Sequence, residues 1–213
     1  MKRPTIIKTF IQSLNPGDIA VFVGESLSKE AEVYKRDGNL YLSEYANSLS
    51  VGLGIAVCSD RRVFVFCSDA YFLRNFSETI QVAVSKCKNM FIILLVDGVY
   101  SDVGKFPTLY GSINSLSGIL FNAGLMTHNY NRLFRNTKNP GKEVKAIFST
   151  ARGPLVVIVE TDYSSPKNIE WNPKTETESI ENIRGFILDK DIPSFNFIPP
   201  ISLDKFLFPT GEV

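Results

Sequence analysis

The chain has 213 residues, of which 44% are hydrophobic and 21% charged, as is ordinary for one globular domain able to bury most of its apolar surface. Lysine and arginine total 23 against 22 acidic residues, and no basic stretch is dense enough to follow a phosphate backbone, so nucleic acid is not expected as a partner. No apolar run approaches the roughly 20 residues that span a bilayer, and the N-terminus lacks the apolar segment of a signal peptide. We therefore expect a cytoplasmic protein with no membrane association.

The first half of the chain alternates between helical and strand patterns. Apolar residues at spacings of three and four predict helices, and short β-branched or aromatic runs predict strands. The predicted helices are 5–14, 27–35, 45–57 and 75–87, and the predicted strands are 18–23, 40–42, 63–67 and 91–96.

The second half continues the alternation and then changes composition. A loop is predicted at 97–110, helices at 114–123 and 141–150, and a last strand at 155–159. Near-continuous apolar strands separated by helices predict a three-layer α/β/α domain with a mostly parallel sheet. The domain is expected to span 1–162, and 163–213 reads as a proline-rich C-terminal arm that packs on its own domain or on a partner chain.

Two acidic residues follow the two most apolar strands. Asp69 comes after the strand 63–67 and Asp97 directly after the strand 91–96. In a parallel sheet both carboxylates would lie at the same edge, where such sheets bind ligands, and two carboxylates suit Mg²⁺. Acids at strand ends also serve as turn formers or helix caps, so this pattern alone leaves both interpretations open.

The residues around these two acids resemble a known sequence signature. Asp69-Ala70, an interval of 26 residues, and then Asp97-Gly98 resemble the thiamine-diphosphate-binding signature, which runs GDG, a similar interval and then Asn. The resemblance implies that Asp69, Asp97 and the main-chain carbonyl of Val99 hold the Mg²⁺ that binds the cofactor's diphosphate.

The resemblance extends over about residues 5–162. The stretch 17–57, with its Gly52-Leu53-Gly54 core, looks like the diphosphate-binding chain of sulfopyruvate and phosphonopyruvate decarboxylases, and 97–112 and 152–162 resemble later parts of it. The fold implied is the thiamine-diphosphate-binding fold. The cofactor-binding residues implied are Ser43, Glu44, Tyr45, Ala46, Ser68, Asp69, Ala70, Tyr71, Asp97, Val99 and Tyr100.

The resemblance also implies an activity. It would be decarboxylation of a small 2-oxo acid to an aldehyde, or carboligation through the same intermediate, with thiamine diphosphate and Mg²⁺ as cofactors. The chain has room for only the diphosphate-binding module, so a separate subunit would carry the pyrimidine-binding module, in a hetero-oligomer or homodimer. Glu30, Glu44 and Glu78 lie near the matching segments, but no residue is identified as catalytic.

The chain departs from the family pattern around the expected cleft. Ser68 and Ala70 stand where the family has glycine, and Asp97 stands where it has asparagine. The added negative charge of Asp97 should weaken an anionic cofactor unless a cation compensates for it. Two alternatives follow: a catalytically degenerate relative that acts as a structural or regulatory subunit, or an unrelated metal-dependent phosphotransferase that uses the same two acids.

Overall fold

The computed structural model describes residues 2–43, 47–100, 104–112, 116–129, 138–162 and 172–188. The strands are β1 Ile19–Val23, β2 Asn39–Leu42, β3 Val63–Ser68, β4 Met90–Val96, β5 Val99–Tyr100, β6 Phe106–Pro107, β7 Met126–Asn129 and β8 Leu155–Glu160. The helices are α1 Arg3–Ser13, α2 Glu25–Glu32, α3 Ser48–Cys58, α4 Asp69–Arg74, α5 Phe76–Ser85, α6 Leu116–Asn122, α7 Pro140–Thr150 and α8 Pro173–Leu188. A 3₁₀ turn covers Leu109–Ser112.

Within the described residues, six strands form one parallel sheet in the order β2-β1-β3-β4-β8-β7. The chain runs outward from β1 to β2 and then returns to place β3 on the other side of β1, so the strand order reverses between β1 and β3. Parallel α/β sheets bind ligands at such a reversal, beyond the carboxyl ends of the strands. The predicted α/β/α fold with a parallel sheet is confirmed.

Helices cover both faces of this sheet. Helices α1, α2 and α7 bury their apolar sides on one face, and α3, α4, α5 and α6 bury theirs on the other. A glycine in α3 has a direct packing role: a Cβ at Gly52 would lie 2.3 Å from Val65 Cγ2. Glycine therefore lets α3 lie close against β3.

The structure differs from the sequence predictions in three places. The predicted helix 75–87 is observed as α5, but a further helix, α4, precedes it and begins at Asp69. The predicted loop 97–110 contains the antiparallel hairpin of β5 and β6. Strand β7 was not predicted, because its sequence is polar and because, among the residues that the structure describes, it is an exposed strand at the edge of the sheet, paired with β8.

The described part of the C-terminal arm is α8, to which the sequence analysis assigned no helix. It lies along the edge strand β2, where the Tyr41 N–H donates to Ser179 Oγ at 3.2 Å. It also contacts the end of α2, where Thr175 Oγ1 donates to Glu32 Oε1 at 2.9 Å. Residues 163–171 and 189–213 lie outside the described residues, so the predicted domain division stays a prediction. Among the helices that the structure describes, none is long and apolar enough to cross a membrane.

Candidate functional site

Asp69 lies at the carboxyl end of β3, beside the reversal in strand order. It is the first residue of α4, and its side chain is 1% exposed. Ser68, immediately before it, accepts a hydrogen bond from the Tyr71 N–H at 3.3 Å and so acts as the N-cap of the helix. The small polar residue before Asp69 thus starts a helix where the strand ends.

Asp97 lies next to Asp69 because β3 and β4 are hydrogen-bonded neighbours whose register pairs Ser68 with Leu95. The Asp97 N–H donates to Asp69 Oδ1 at 3.4 Å. Thr108, on the loop after the hairpin, donates its hydroxyl to Asp69 Oδ2 at 2.5 Å and is 6% exposed. The predicted proximity of the two carboxylates is therefore observed.

A tight turn brings Val99 back to Asp97. Gly98 has a φ of 75°, which favours glycine, and the Val99 N–H donates to Asp97 Oδ1 at 3.2 Å. In an extended strand the N–H and C=O of one residue point to the same side. The Val99 carbonyl consequently faces the side of the hairpin on which Asp97 lies.

Arg3, from the first turn of α1, occupies the other side of Asp97. Its Nη1 donates to Asp97 Oδ2 at 3.0 Å, while Nε and Nη2 donate to the two carboxylate oxygens of Glu30 at 2.9 and 2.8 Å. Its Nη2 also donates to Ser26 Oγ at 2.7 Å. The start of α1 is held at this edge by a parallel bridge between Lys2 and Asp162, just past the end of β8.

The charges of this cluster do not balance. Glu30, Asp69 and Asp97 contribute three carboxylates against the one guanidinium of Arg3, and each of the four side chains is almost completely buried. Burial raises the pKa of the Asp69 carboxyl, against the effect of the Thr108 hydrogen bond. Burial also raises the pKa of Asp97, and Arg3 partly opposes this shift. Fully ionised, the cluster carries two negative charges.

The donor set fits Mg²⁺. The ion binds through one or two carboxylates and otherwise keeps water and substrate phosphates as ligands. Asp69 and Asp97 supply two adjacent carboxylates, and an ionised carboxylate is an acceptor-only group with two oxygens and about four lone pairs. In the part of the chain that the structure describes, no group of three or more His, Cys, Asp or Glu could hold a metal ion. The site is thus suited to a cation shared with a ligand rather than to a cage made of protein alone.

Other predicted site residues lie in different surroundings. Tyr71 is 1% exposed, and its hydroxyl donates to Glu78 Oε1 at 3.0 Å and accepts from the Ser48 N–H at 3.0 Å, which ties α4 and α5 to the start of α3. Ser43 donates to Glu176 of α8. The guanidinium of Arg74 lies 5.1 Å from the centre of the Tyr100 ring.

The remaining predicted residues add little to the cluster. Ala70 follows Asp69 in the first turn of α4 and is half-buried. Glu44, Tyr45 and Ala46 lie outside the described residues. The residue roles inferred from the resemblance therefore stay predictions, although Asp69, Asp97 and Val99 do lie together.

Sequence reasoning missed Arg3 completely. The residue is 94 positions from Asp97, and no local pattern links the two. Glu30 was noted only as an acid near a matching segment, whereas the structure shows both of its oxygens bonded to Arg3. Thr108 lies in the stretch 97–112 that carries part of the resemblance, but its hydrogen bond to Asp69 was not anticipated.

The region that contains Asp69 and Asp97 also matches known proteins. Residues 26–159 match the model of the family described as thiamine pyrophosphate enzyme, C-terminal TPP binding domain. Sulfopyruvate decarboxylase subunit beta of Methanocaldococcus jannaschii is 27% identical over 149 residues, which cover 66% of this chain and 79% of that protein.

Solved structures share the fold. Benzoylformate decarboxylase from Polynucleobacter necessarius superposes with a TM-score of 0.56 at 12% identity, over 78% of this chain and 34% of that one. The thiamine diphosphate-dependent 4-hydroxybenzoylformate decarboxylase of Rhodococcus jostii RHA1 gives 0.52 at 15% identity, over 77% and 33%. This chain thus spans about a third of the length of these enzymes.

Proposed function

The chain belongs to the thiamine pyrophosphate enzyme family, and from this premise we propose that it is the diphosphate-binding subunit of a thiamine-diphosphate-dependent 2-oxo acid decarboxylase. The observation that carries the proposal is the pair of buried carboxylates, Asp69 and Asp97, on neighbouring strands at the ligand-binding edge of the sheet. Their unbalanced negative charge suits a divalent cation that binds a diphosphate.

We assign Asp69, Asp97 and the carbonyl of Val99 as the Mg²⁺ ligands. A cation held by these groups would offset the two surplus negative charges of the cluster and would be free to bind the cofactor's diphosphate. Ser68 has a supporting role here, because its hydroxyl caps α4 and thereby fixes where Asp69 begins the helix. A serine in place of the family's glycine is thus compatible with this arrangement.

The cofactor supplies the carbanion and the electron sink when it is bound. The residues of this chain bind and orient it through the cation at one end. Glu78 is hydrogen-bonded to Tyr71 and Ser50, and Glu30 is hydrogen-bonded to Arg3. Both glutamates therefore stabilise the local structure of the site. We propose that the glutamate that activates the cofactor comes from a second chain.

That second chain would carry the pyrimidine-binding module and form a hetero-oligomer with this one. The surface after Asp97 supports such a contact, because Phe106 is 67% exposed and Leu109 is 63% exposed. The relative in Methanocaldococcus jannaschii is named a beta subunit. A homodimer is the other assembly that this surface would allow. The substrate class is a small 2-oxo acid, and the expected location is cytoplasmic.

Calorimetry with thiamine diphosphate and Mg²⁺ tests the proposal. The titration is done on this chain alone and on its mixture with the product of a neighbouring reading frame that encodes a pyrimidine-binding module. We expect binding that needs Mg²⁺, and release of CO₂ from a 2-oxo acid by the mixture only. Absence of binding in both samples would rule out the enzyme and favour a catalytically degenerate subunit.

Asp69→Ala should abolish the binding, and Asp60→Ala is the matched control. Asp60 is an exposed acid in the turn before β3, at the opposite end of the same strand from Asp69. Its removal changes the net charge equally but leaves the cluster intact. If both variants reduced the affinity to the same degree, the effect would come from net charge and not from ligation.

A further inference from the structure

Both side-chain oxygens of Asp97 accept hydrogen bonds from groups that can only donate. Oδ1 accepts from the Val99 N–H at 3.2 Å, and Oδ2 accepts from Arg3 Nη1 at 3.0 Å. A guanidinium has no acceptor atom, and neither has a backbone N–H. The surroundings of position 97 therefore require two acceptor oxygens.

An asparagine cannot meet this requirement. Its side chain has one acceptor oxygen and one NH₂ group, so one orientation would direct NH₂ at Arg3 and the other would direct it at the Val99 N–H. In the second orientation the NH₂ also takes the place of Oδ1, the oxygen on the hairpin side. An amide at this position would thus lose either a hydrogen bond or its proper direction toward a cation.

The Arg3 side chain is held firmly enough to favour aspartate over asparagine at position 97. Its Nε and Nη2 bond both oxygens of Glu30, and Nη2 also bonds Ser26. The side chain is 2% exposed. A planar guanidinium fixed at two of its nitrogens directs the third at Asp97 without rotational freedom.

We propose that Arg3 is a positioning residue of the cation site, which makes aspartate, and not asparagine, the working ligand at position 97. Arg3 holds Oδ2, compensates for part of the carboxylate's charge, and leaves Oδ1 directed at the cation. This inference rests on the proposed function, since it assigns Asp97 as a ligand. It also explains how the added negative charge of Asp97 is compensated, because the Arg3 guanidinium supplies part of the positive charge.

The test measures the effect of Asp97→Asn in two backgrounds. One is the natural chain, and the other carries Arg3→Gln with Glu30→Gln, which removes both members of the ion pair and leaves no unpaired charge of either. Mg²⁺ is titrated in the presence of thiamine diphosphate by calorimetry, with the pyrimidine-binding subunit added if the chain alone does not bind. Thermal unfolding confirms that each variant is folded.

In the natural background Asp97→Asn should weaken the Mg²⁺-dependent affinity about tenfold or more, the loss expected for one charge-assisted hydrogen bond. In the second background it should leave the affinity within about threefold or tighten it, because the amide side chain introduced at position 3 has an oxygen that can accept from the amide at position 97. Asp18→Asn, at the other end of the sheet, should leave the affinity unchanged and serves as the control.

The outcomes separate the two proposals. If the natural chain binds and Asp97→Asn has the same effect in both backgrounds, Arg3 is only structural and this inference is wrong. If the double variant does not fold, Arg3→Gln alone replaces it, because glutamine still offers an acceptor oxygen to the amide at position 97, and an undiminished Asp97→Asn penalty there would equally count against the inference. If the natural chain binds neither Mg²⁺ nor cofactor with its partner, the proposed function fails and the role of Arg3 fails with it.

Discussion

The two ends of the sheet use ion pairs differently. At the amino end, Arg62 Nε and Nη2 donate to the two oxygens of Asp18 at 2.9 and 2.6 Å, which joins the residues that precede β3 and β1. At the carboxyl end, the single guanidinium of Arg3 lies among Glu30, Asp69 and Asp97. The Arg62–Asp18 pair matches one guanidinium with one carboxylate, whereas the cluster at the carboxyl end has more carboxylates than guanidiniums.

This difference separates a structural ion pair from a ligand site. A balanced pair is complete within the chain, whereas buried surplus charge is costly unless a ligand offsets it. The amino end is also wetter, since the Arg62 side chain is 24% exposed and that of Arg3 is 2% exposed. The carboxyl end is therefore the place where charge and burial together indicate binding.

The largest expected effect comes from removing each arginine in turn. Arg3→Met should lower the free energy of unfolding by about 3–5 kcal/mol, because it leaves the buried Glu30 and Asp97 without their partner. Arg62→Met should cost only about 1–2 kcal/mol, since the Asn15 N–H still donates to Asp18 Oδ2 and water can enter the partly exposed space that the Arg62 side chain leaves. Urea unfolding measures both values, and equal losses would contradict the contrast in burial.

A second prediction concerns stabilisation by the cofactor. Mg²⁺ and thiamine diphosphate at about one hundred times their dissociation constant should raise the stability of the natural chain by about 2.7 kcal/mol, or roughly 5–10 °C in Tm. Asp69→Asn should remove this increment. Asp18→Asn should lower the starting Tm but keep the increment, and thermal scans with and without ligand would show whether it does.

A third prediction is that the stability of the ligand-free chain and the stabilisation by Mg²⁺ change in opposite directions with pH. Burial raises the folded-state pKa of Asp69 and Asp97 above the ordinary value of 3.8, so the ligand-free native state binds protons more readily than the unfolded chain. The contribution of these groups to ligand-free stability therefore rises as pH falls through the raised pKa toward 3.8, and is lost as pH rises.

The increment from Mg²⁺ should show the opposite trend, because protons compete with the cation for the same carboxylates. Thermal scans from pH 8 down to about pH 4, close to the ordinary value of 3.8, would measure both trends in one series. An increment that stayed constant over this range would argue against Asp69 and Asp97 as ligands.

The smallest effect is expected at Ser68. Ser68→Ala removes the N-cap of α4 and should cost about 1 kcal/mol, whereas Ser68→Gly, which restores the family residue, should cost only a few tenths. Neither change alters the charge of the cluster, so the increment from Mg²⁺ should persist. Chemical denaturation of the pair gives the difference, and a loss of ligand binding in Ser68→Ala would show a larger role for the hydroxyl.

The parallel sheet and the position of its two acids were predictable for a simple reason. Strands β3 and β4 are buried on both faces, so each appears as a continuous apolar run, and the first polar residues after them mark the edge. Strand β7 has an exposed side and a polar sequence, so the same reasoning missed it. A continuous apolar run predicts a strand that is buried on both faces, but it does not predict a strand that is partly exposed.

At Asp97, the local sequence and the tertiary structure each determine a different part of the site. The sequence alone shows that this acid ends a buried strand and that it replaces an asparagine of the resembling family, since both facts concern neighbouring residues. The charge beside it was decided by tertiary packing, because α1 and α2 carry Arg3 and Glu30 from distant parts of the sequence to the end of β4. No local rule connects residues 94 positions apart, so only the folded structure could show that a guanidinium occupies one side of the carboxylate and leaves the other for a ligand.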